Sequence, residues 1–279
     1  MIKWLYIFIC ISLSSCTNLI FYPMPNHILN PNVLGIEYKN IKISTTNNLS
    51  LHGWWLQAKD HTNGIIIFFH GNAQNISTHL QHVYWLVDHN YDVVIIDYRG
   101  YGKSEGKPSI PGSIDDIKSG VKYVYNAPKS TNKPIFVIGQ SMGGSLSIAA
   151  LADDKIKNNI NALVTISAFS DYRKIAQHAL SNSWVTWPLQ WPLSFTINNS
   201  YSPERLIKYL SPVPILIIHG NEDKVVPSSH AKTIYTLAPE HKFLEILPAG
   251  HNDVLNNKKN RQVLLKYLNK FMIESLPIK

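Results

Sequence analysis

Cysteine is scarce in this sequence: the 279 residues include two, Cys10 and Cys16, both near the N-terminus. The rest of the chain therefore has no disulfide, thiol nucleophile or thiolate metal ligand. Charged residues are also few, at 16%, against 45% hydrophobic residues, a balance that excludes a disordered chain. The mean hydropathy of −0.07 excludes a bundle of membrane helices. The length suits one large α/β domain or two small ones.

Acidic residues are outnumbered, with 18 Asp and Glu against 26 Lys and Arg, which gives a net charge of +8. Such a balance favours anionic surfaces such as lipid head groups, cell-envelope polymers or nucleic acid. The basic residues are scattered, and the densest stretch, residues 258–270, alternates with apolar residues at helical spacing. This pattern is typical of the solvated face of a terminal amphipathic helix, so we expect no nucleic-acid partner.

The N-terminus has the pattern of a targeting segment. Lys3 precedes an apolar run, residues 4–13, which is shorter than the ~20 residues that span a bilayer but fits the core of a secretory signal. An uncleaved membrane anchor is the alternative, because apolar residues recur up to Phe21. Both interpretations place the rest of the chain outside the cytoplasm.

The residues Leu13-Ser14-Ser15-Cys16 resemble the lipobox of bacterial lipoproteins. The resemblance implies that residues 1–15 are removed as a signal peptide and that Cys16 carries the lipid that anchors the protein in the cell-envelope membrane. Thr17, in place of an aspartate, resembles lipoproteins that are sorted to an outer membrane.

The remaining chain is predicted to consist of a linker, residues 16–35, and one domain, residues 36–275. A hairpin over residues 36–44 and 49–58 opens the domain, and apolar runs then alternate with helical segments. Strands are expected at 65–69, 93–96, 135–138, 163–167, 215–218 and 243–247, and helices at 76–88, 114–125, 143–152, 230–237 and 257–272. This alternation predicts an α/β fold with a mostly parallel sheet, whose ligands bind beyond the C-terminal strand ends.

A long connection at about residues 172–210 interrupts the alternation. It contains three tryptophans. Because a connection of this length inside a compact domain is usually functional or forms its own helices, we interpret it as a cap over the site, with an ordinary packing excursion as the alternative.

A nucleophile motif follows the strand predicted at 135–138. Gly139-Gln140-Ser141-Met142-Gly143 is a G-x-S-x-G sequence between a strand and a helix, the context in which such a serine is exposed on a strained turn. The amide of Met142, at the start of the helix, would face the negative charge that develops during acyl transfer.

A serine nucleophile needs an imidazole base and an acid that orients it. Asp223 follows one predicted strand and His251 follows the last one, so the order is Ser141, Asp223, His251. We assign Asp223 as the acid and His251 as the base, with Glu222 as the alternative acid. His79 and His82 lie one helical turn apart, but no third ligand is evident, so no metal and no cofactor are predicted.

Six sequence blocks together resemble the α/β-hydrolase superfamily, and most closely its small serine hydrolases of the serine aminopeptidase-like and depalmitoylase-like groups. The blocks are Leu51-His52-Gly53-Trp54-Trp55, His70-Gly71-Asn72-Ala73, the run 97–104, the run 139–144, His219-Gly220-Asn221-Glu222-Asp223 with Val226-Pro227, and Gly250-His251-Asn252-Asp253. The resemblance implies a sheet flanked by helices, a short cap, and an oxyanion hole formed by the amides of Asn72 and Met142. Asp97 and Arg99 are interpreted as structural.

The leading functional hypothesis is hydrolysis of carboxylic esters or thioesters of small acylated, lipid-like substrates through an acyl-enzyme on Ser141. Peptide hydrolysis of the aminopeptidase type is the second hypothesis. It would need an acid in the cap to hold the substrate amine, and Glu204 is the only one in residues 172–210. A non-catalytic envelope protein with a vestigial site is the third.

Overall fold

The computed structural model describes residues 20–181 and 184–275. In this part of the chain the strands are β1 (Tyr22–Pro23), β2 (Tyr38–Ser44), β3 (Ser50–Leu56), β4 (Gly64–Phe69), β5 (Ala73–Gln74), β6 (Tyr91–Ile96), β7 (Ile135–Gln140), β8 (Ala162–Ile166), β9 (Ile215–Gly220) and β10 (Lys242–Leu247). The predicted hairpin and all six predicted later strands are present.

Eight of these strands form one sheet in the order β10-β9-β8-β7-β4-β6-β3-β2. The pairs from β10 to β6 are parallel, whereas β3 pairs antiparallel with both β2 and β6. Every residue of β4, β6, β7 and β9 is buried. Continuous apolar runs are expected for such strands, because helices cover both faces of a parallel sheet.

The helices of the described residues lie on the two faces of the sheet or in its long connections. They are α1 (Ile76–His79), α2 (Ile110–Tyr125), α3 (Met142–Leu151), α4 (Asp154–Lys157), α5 (Tyr172–Ser181), α6 (Gln190–Phe195), α7 (Pro203–Leu206), α8 (Ser229–Leu237) and α9 (Lys258–Glu274). Alternate residues of β4 pack on opposite faces: Ile65 and Ile67 belong to one hydrophobic cluster, Ile66 and Phe68 to the other.

The single helix predicted over residues 76–88 is wrong. The segment forms the short helix α1 and two 3-10 turns, Leu80–His82 and Tyr84–His89. Val83, between the turns, has φ −134°, which is not helical. Its apolar spacing still buries the segment, because Leu80, Val83 and Leu86 all enter the core. The apolar spacing of residues 76–88 thus predicted which side chains are buried, but it did not predict the backbone hydrogen bonding.

The predicted linker is packed on the domain over the part that the structure describes. β1 pairs in parallel with β5, beside the loop after β4. Phe21 is buried in the core, and the Asn75 Nδ2 donates to the Met24 carbonyl oxygen at 3.0 Å. Residues 20–31 are thus tied to the loops at the C-terminal ends of the strands.

The C-terminal helix α9 packs Leu264, Leu268 and Phe271 into the core, while the basic Lys258 and Lys266 are exposed. This agrees with the solvated amphipathic helix expected from the sequence. Within residues 20–181 and 184–275, none of the helices combines the length and apolar character needed to cross a membrane. The predicted signal peptide (residues 1–15) and the lipid attachment site Cys16 lie outside the described residues.

Candidate active site

Ser141 lies at a sharp corner between β7 and α3. Its backbone has φ +51° and ψ −118°, a strained conformation for a residue with a side chain, and its amide donates to the Ile166 carbonyl oxygen at 2.8 Å. A Cβ on Gly143 would collide with the carbonyl oxygens of Phe69 and His70. The glycine therefore allows α3 to begin directly against the end of β4, and the Ser141 side chain is held above the sheet.

The structure brings together the three side chains that the sequence predicts for catalysis. The Nε2 of His251 lies 3.0 Å from the Oγ of Ser141, and its Nδ1 lies 2.7 Å from the Oδ2 of Asp223. Ser141 follows β7, Asp223 follows β9 and His251 follows β10, so they come from three C-terminal strand ends of one parallel sheet. Glu222, the alternative acid, is exposed, and the side chain in contact with His251 is that of Asp223.

Asp223 is held ionised by several donors. Its Oδ1 accepts hydrogen bonds from the amides of Val225 at 2.9 Å and Val226 at 2.8 Å. The Nε2 of His219 lies 3.3 Å from Oδ2. Burial alone would raise the pKa of Asp223, but the contacts with His219, His251 and the Val226 amide lower it well below its usual range. A carboxylate that stays charged can fix the orientation of the imidazole and stabilise its protonated form.

The predicted oxyanion loop, His70 to Ala73, lies beside Ser141. A Cβ placed on Gly71 would be 3.7 Å from the Ser141 Cβ. The hydroxyl of Tyr101 donates to the Asn72 carbonyl oxygen at 2.5 Å, which fixes the peptide group at this position. Met142 is the first residue of α3, so its amide is among those at the helix N-terminus that lack a partner within the helix.

Two histidines beside this loop are buried and neutral. Burial is the largest cause that lowers the pKa of His70 to about 3 and that of His82 to about 4. The Nδ1 of His70 is 2.8 Å from the Gly71 carbonyl oxygen, so it donates there and braces the loop. Among the described residues, His79 and His82 are not part of a group of three side chains close enough to share a metal ion. Such a group is formed by His27, His52 and Asp97.

The predicted cap lies next to Asp223, the predicted acid. In the structure it comprises residues 172–181 and 184–210, which connect β8 to β9 through short helices. The Nε2 of His178, on α5, is 3.2 Å from the Lys224 carbonyl oxygen, one residue after Asp223. The side chains of Trp184, Trp187 and Trp191 are 89%, 59% and 58% exposed. Large apolar side chains that are exposed close together in the chain make this segment a candidate for an apolar binding site or contact region.

Sequence reasoning did not assign two residues that support the site. His219 is fully buried beside Asp223, and Tyr101 holds the oxyanion loop. Both occur in motif blocks noted in the sequence, His219 in β9 and Tyr101 in the loop after β6, and their place in those blocks was the available signal. Their roles depend on contacts with loops distant in the chain, which spacing alone does not reveal.

The sheet order and the arrangement of Ser141, Asp223 and His251 define an α/β-hydrolase. Residues 60–211, more than half of the chain, match the family described as serine aminopeptidase, S33. The chain belongs to this family.

Relatives extend over nearly the full length. The uncharacterized protein YfhR of Escherichia coli O157:H7 is 31% identical over 263 residues, which cover 93% of this chain and 88% of the relative. The α/β-hydrolase domain-containing protein WAV2 of Arabidopsis thaliana is 27% identical over 260 residues, covering 86% of this chain and 82% of that protein.

Solved structures show the same fold. The esterase Pf2001 of Pyrococcus furiosus superposes with a TM-score of 0.71 at 24% identity, covering 91% of this chain and 100% of that one. The acylaminoacyl peptidase of Pyrococcus horikoshii has a TM-score of 0.62 at 15% identity, covering 89% of this chain and 45% of that one. Esterases and peptidases thus share this architecture, so the substrate has to be argued from the site.

Proposed function

We propose that the protein is a serine esterase that cleaves carboxylic ester or thioester bonds of acylated, lipid-like substrates. The observation that carries the proposal is the continuous contact from Ser141 Oγ through His251 to Asp223, at 3.0 and 2.7 Å. These distances are within the range for proton transfer from a nucleophile to its base.

In the proposed reaction, His251 Nε2 removes the proton of Ser141 while Oγ attacks the substrate carbonyl carbon. The negative charge passes to the carbonyl oxygen, where the amides of Asn72 and Met142 would donate hydrogen bonds. His251 then gives the proton to the departing alcohol or thiol, which leaves an acyl-enzyme. Water, deprotonated by the same nitrogen, attacks the acyl carbon and releases the acid and the free serine.

The cap supports a substrate with an apolar part. The segment that carries its exposed tryptophans also contacts the loop carrying Asp223 through His178, and we propose that these tryptophans contact the acyl chain. The proposed lipid on Cys16 would hold the protein in the cell envelope at a membrane surface, and the net charge of +7 that remains after removal of residues 1–15 with Lys3 favours anionic head groups. The proposed lipid anchor and the apolar cap together favour a substrate that is dissolved in a membrane or released from one.

Aminopeptidase activity is less well supported. The acid that would have to bind the substrate amine, Glu204, already pairs with the Nζ of Lys174 at 2.7 Å. The nearby Asp171 accepts hydrogen bonds from the Asn199 side chain and the Lys174 amide. A substrate ammonium group would therefore compete with Lys174 for Glu204, the only acid of the predicted cap.

A fluorophosphonate probe tests the proposal, because it reacts covalently with an activated serine. The full chain should be labelled, and Ser141→Ala should abolish labelling; Ser145→Ala, four residues along on α3, is the control that should remain labelled. Absence of labelling in folded wild-type protein would contradict the enzyme and favour a vestigial site. Comparison of kcat/KM for acyl esters, acyl thioesters and aminoacyl amides then separates esterase from peptidase, and a preference for amides would overturn the substrate proposal.

A further inference from the structure

A second polar cluster lies outside the catalytic triad, where the N-terminal segment meets the main sheet. His27 Nε2 is 2.7 Å from Asp97 Oδ2, and His52 Nδ1 is 3.7 Å from the same oxygen. One nitrogen from each histidine and one oxygen of Asp97 all lie within 4.8 Å of one another. Asp97 and His52 are buried, so water does not compensate the charge of the carboxylate.

The hydrogen bonds of Asn40 fix which nitrogen of His52 carries a proton. Trp54 Nε1, which can only donate, is 3.2 Å from Asn40 Oδ1, so this atom of the amide must be the oxygen. His52 Nε2 is 3.0 Å from the same oxygen and must therefore donate to it. In a neutral ring the other nitrogen, Nδ1, then carries a lone pair.

That lone pair points into the cluster without a partner. His52 is only 8% exposed, and its Nδ1 is buried with no hydrogen-bond partner. The nearest charged atom is the Asp97 Oδ2, which also carries lone pairs. The Ile76 amide donates to Asp97 Oδ1 at 2.9 Å and His27 Nε2 lies 2.7 Å from Oδ2, and hydrogen bonds of this kind favour the ionised carboxylate. Two facing acceptors in a buried site repel each other unless a cation lies between them.

We propose that His27 Nε2, His52 Nδ1 and Asp97 Oδ2 bind one divalent transition-metal ion of the Zn²⁺ type. Two imidazole nitrogens and one carboxylate oxygen are a donor set that such ions prefer, and water would complete a four-coordinate site. The ion replaces the proton that His27 now donates to Asp97. Metal–ligand bonds of about 2.0–2.2 Å place tetrahedral ligand atoms about 3.3–3.6 Å apart, so the 2.7 Å pair His27–Asp97 has to open slightly and the 3.7 Å pair His52–Asp97 has to close slightly.

Hydrogen bonds from neighbouring groups fix the orientation of the ligand side chains, as is usual for metal sites. The Ile76 amide donates to Asp97 Oδ1 at 2.9 Å, and Asn40 orients His52. Gly102 closes over the cluster with φ +50°, and a Cβ there would collide with Asp97 Oδ2. The ion would fasten the N-terminal segment, β3 and the loop after β6 to one another, a structural role distinct from ester hydrolysis.

The test is isothermal titration of Zn²⁺ into the full chain, purified in detergent without a histidine tag and stripped with a chelator. Wild type should bind one Zn²⁺ ion at this site, and Co²⁺ should give the ligand-field absorption of a low-symmetry site. Loss of groups behind a metal ligand already costs about 10–100-fold in affinity, so His52→Gln should weaken binding at least about 100-fold. Exposed His61→Gln is the matched control and should bind as wild type does.

Thermal unfolding gives a second measurement that does not depend on hydrolysis. Zn²⁺ should raise the Tm of wild type and of His61→Gln, but not of His52→Gln. If His52→Gln fails to fold, His27→Gln, on the N-terminal segment, replaces it with the same expectations. Binding of Zn²⁺ that is equally strong in the wild type and the ligand variants, or no binding in the wild type, would overturn the metal site and leave a protonated His52 as the partner of Asp97.

Discussion

The catalytic floor and the cap are built in opposite ways. The floor comprises the loops that carry His70, Ser141, Asp223 and His251 at the C-terminal ends of buried parallel strands. Each side chain in it has defined hydrogen-bond partners, and glycines let the backbone elements touch. The cap consists of short helices, and its tryptophans are exposed.

This difference separates two requirements of the proposed reaction. Proton transfer needs atoms held within a few tenths of an ångström, which a close-packed parallel sheet provides. Recognition of an acyl chain needs apolar area but little precise geometry, which a lightly packed cap can provide. Substitutions in the floor should therefore change the rate of the chemical step, and substitutions in the cap should change which substrates are reached.

The largest expected effect comes from paired histidine substitutions in the two regions. His251→Ala should lower kcat/KM for a soluble ester by about 10⁶-fold, because it removes the imidazole whose Nε2 lies 3.0 Å from the Ser141 Oγ and would accept its proton. His178→Ala, in the cap, should change it by less than about tenfold, since its Nε2 contacts only the Lys224 carbonyl in the floor. Steady-state kinetics with far-ultraviolet circular dichroism measures both. A loss below tenfold in His251→Ala would refute its role as the base.

Acid should destabilise the folded protein through its buried neutral histidines, one of which, His70, belongs to the floor. Burial is the main cause that lowers the pKa of His70 to about 3, and of His82 and His230 to about 4. The unfolded chain binds protons near pH 6.5, whereas the folded chain does not until pH 4 or 3. Stability is therefore full above pH 6.5 and falls as the pH drops below it, by about 2 kcal/mol per histidine between pH 7 and 5.

Urea unfolding at pH 7 and pH 5 measures this effect. The variant His82→Leu should lose about 2 kcal/mol less than wild type over the same interval, because one proton-binding group is removed from the unfolded chain. An identical pH dependence in the variant and the wild type would show that His82 is not held neutral by burial.

The smallest expected effect concerns the cap. The double variant Trp187→Ser/Trp191→Ser should keep its free energy of unfolding within about 0.5 kcal/mol, because both side chains are largely exposed. Turnover of a soluble short-chain ester should stay within about twofold. Turnover of a long-chain ester in vesicles should fall about fivefold or more, since aromatic side chains favour the lipid–water boundary.

Tyr125→Ser serves as the matched control, because Tyr125 is an exposed aromatic residue on α2, outside the cap. It should leave both activities unchanged. Equal losses on the soluble and the vesicle substrate in the tryptophan variant would assign the cap to the chemical step and remove the contrast between the two regions.

Much of the fold could be predicted because the central strands are continuous apolar runs. β4 and β7 are recognisable without tertiary information, since a parallel sheet buries every residue of its strands. The segment after β5 was mispredicted as one helix because helical spacing reports burial on one face, and 3-10 turns can satisfy the same burial. The packing of residues 20–31 was missed because a short segment without helical or strand periodicity gains order only from partners elsewhere in the chain.

The candidate site shows the same division. Ser141 was identifiable because its strained corner requires glycines at fixed positions, and Asp223 and His251 because they follow strands. The cluster of His27, His52 and Asp97 was not predicted, since its members are separated by 25 and 45 residues and share no motif.

The amino-acid sequence by itself determined the sheet, the strained serine and the residues at the strand ends. These features depend on local sterics and on the spacing of apolar residues, which involve residues close together in the chain. Only the tertiary structure decided which carboxylate contacts His251, how the first described residues are fastened, and that two histidines meet Asp97. Those outcomes depend on distances between residues far apart in the chain, and hydrogen bonds and Coulomb interactions are sensitive to fractions of an ångström that no pattern of residue types specifies.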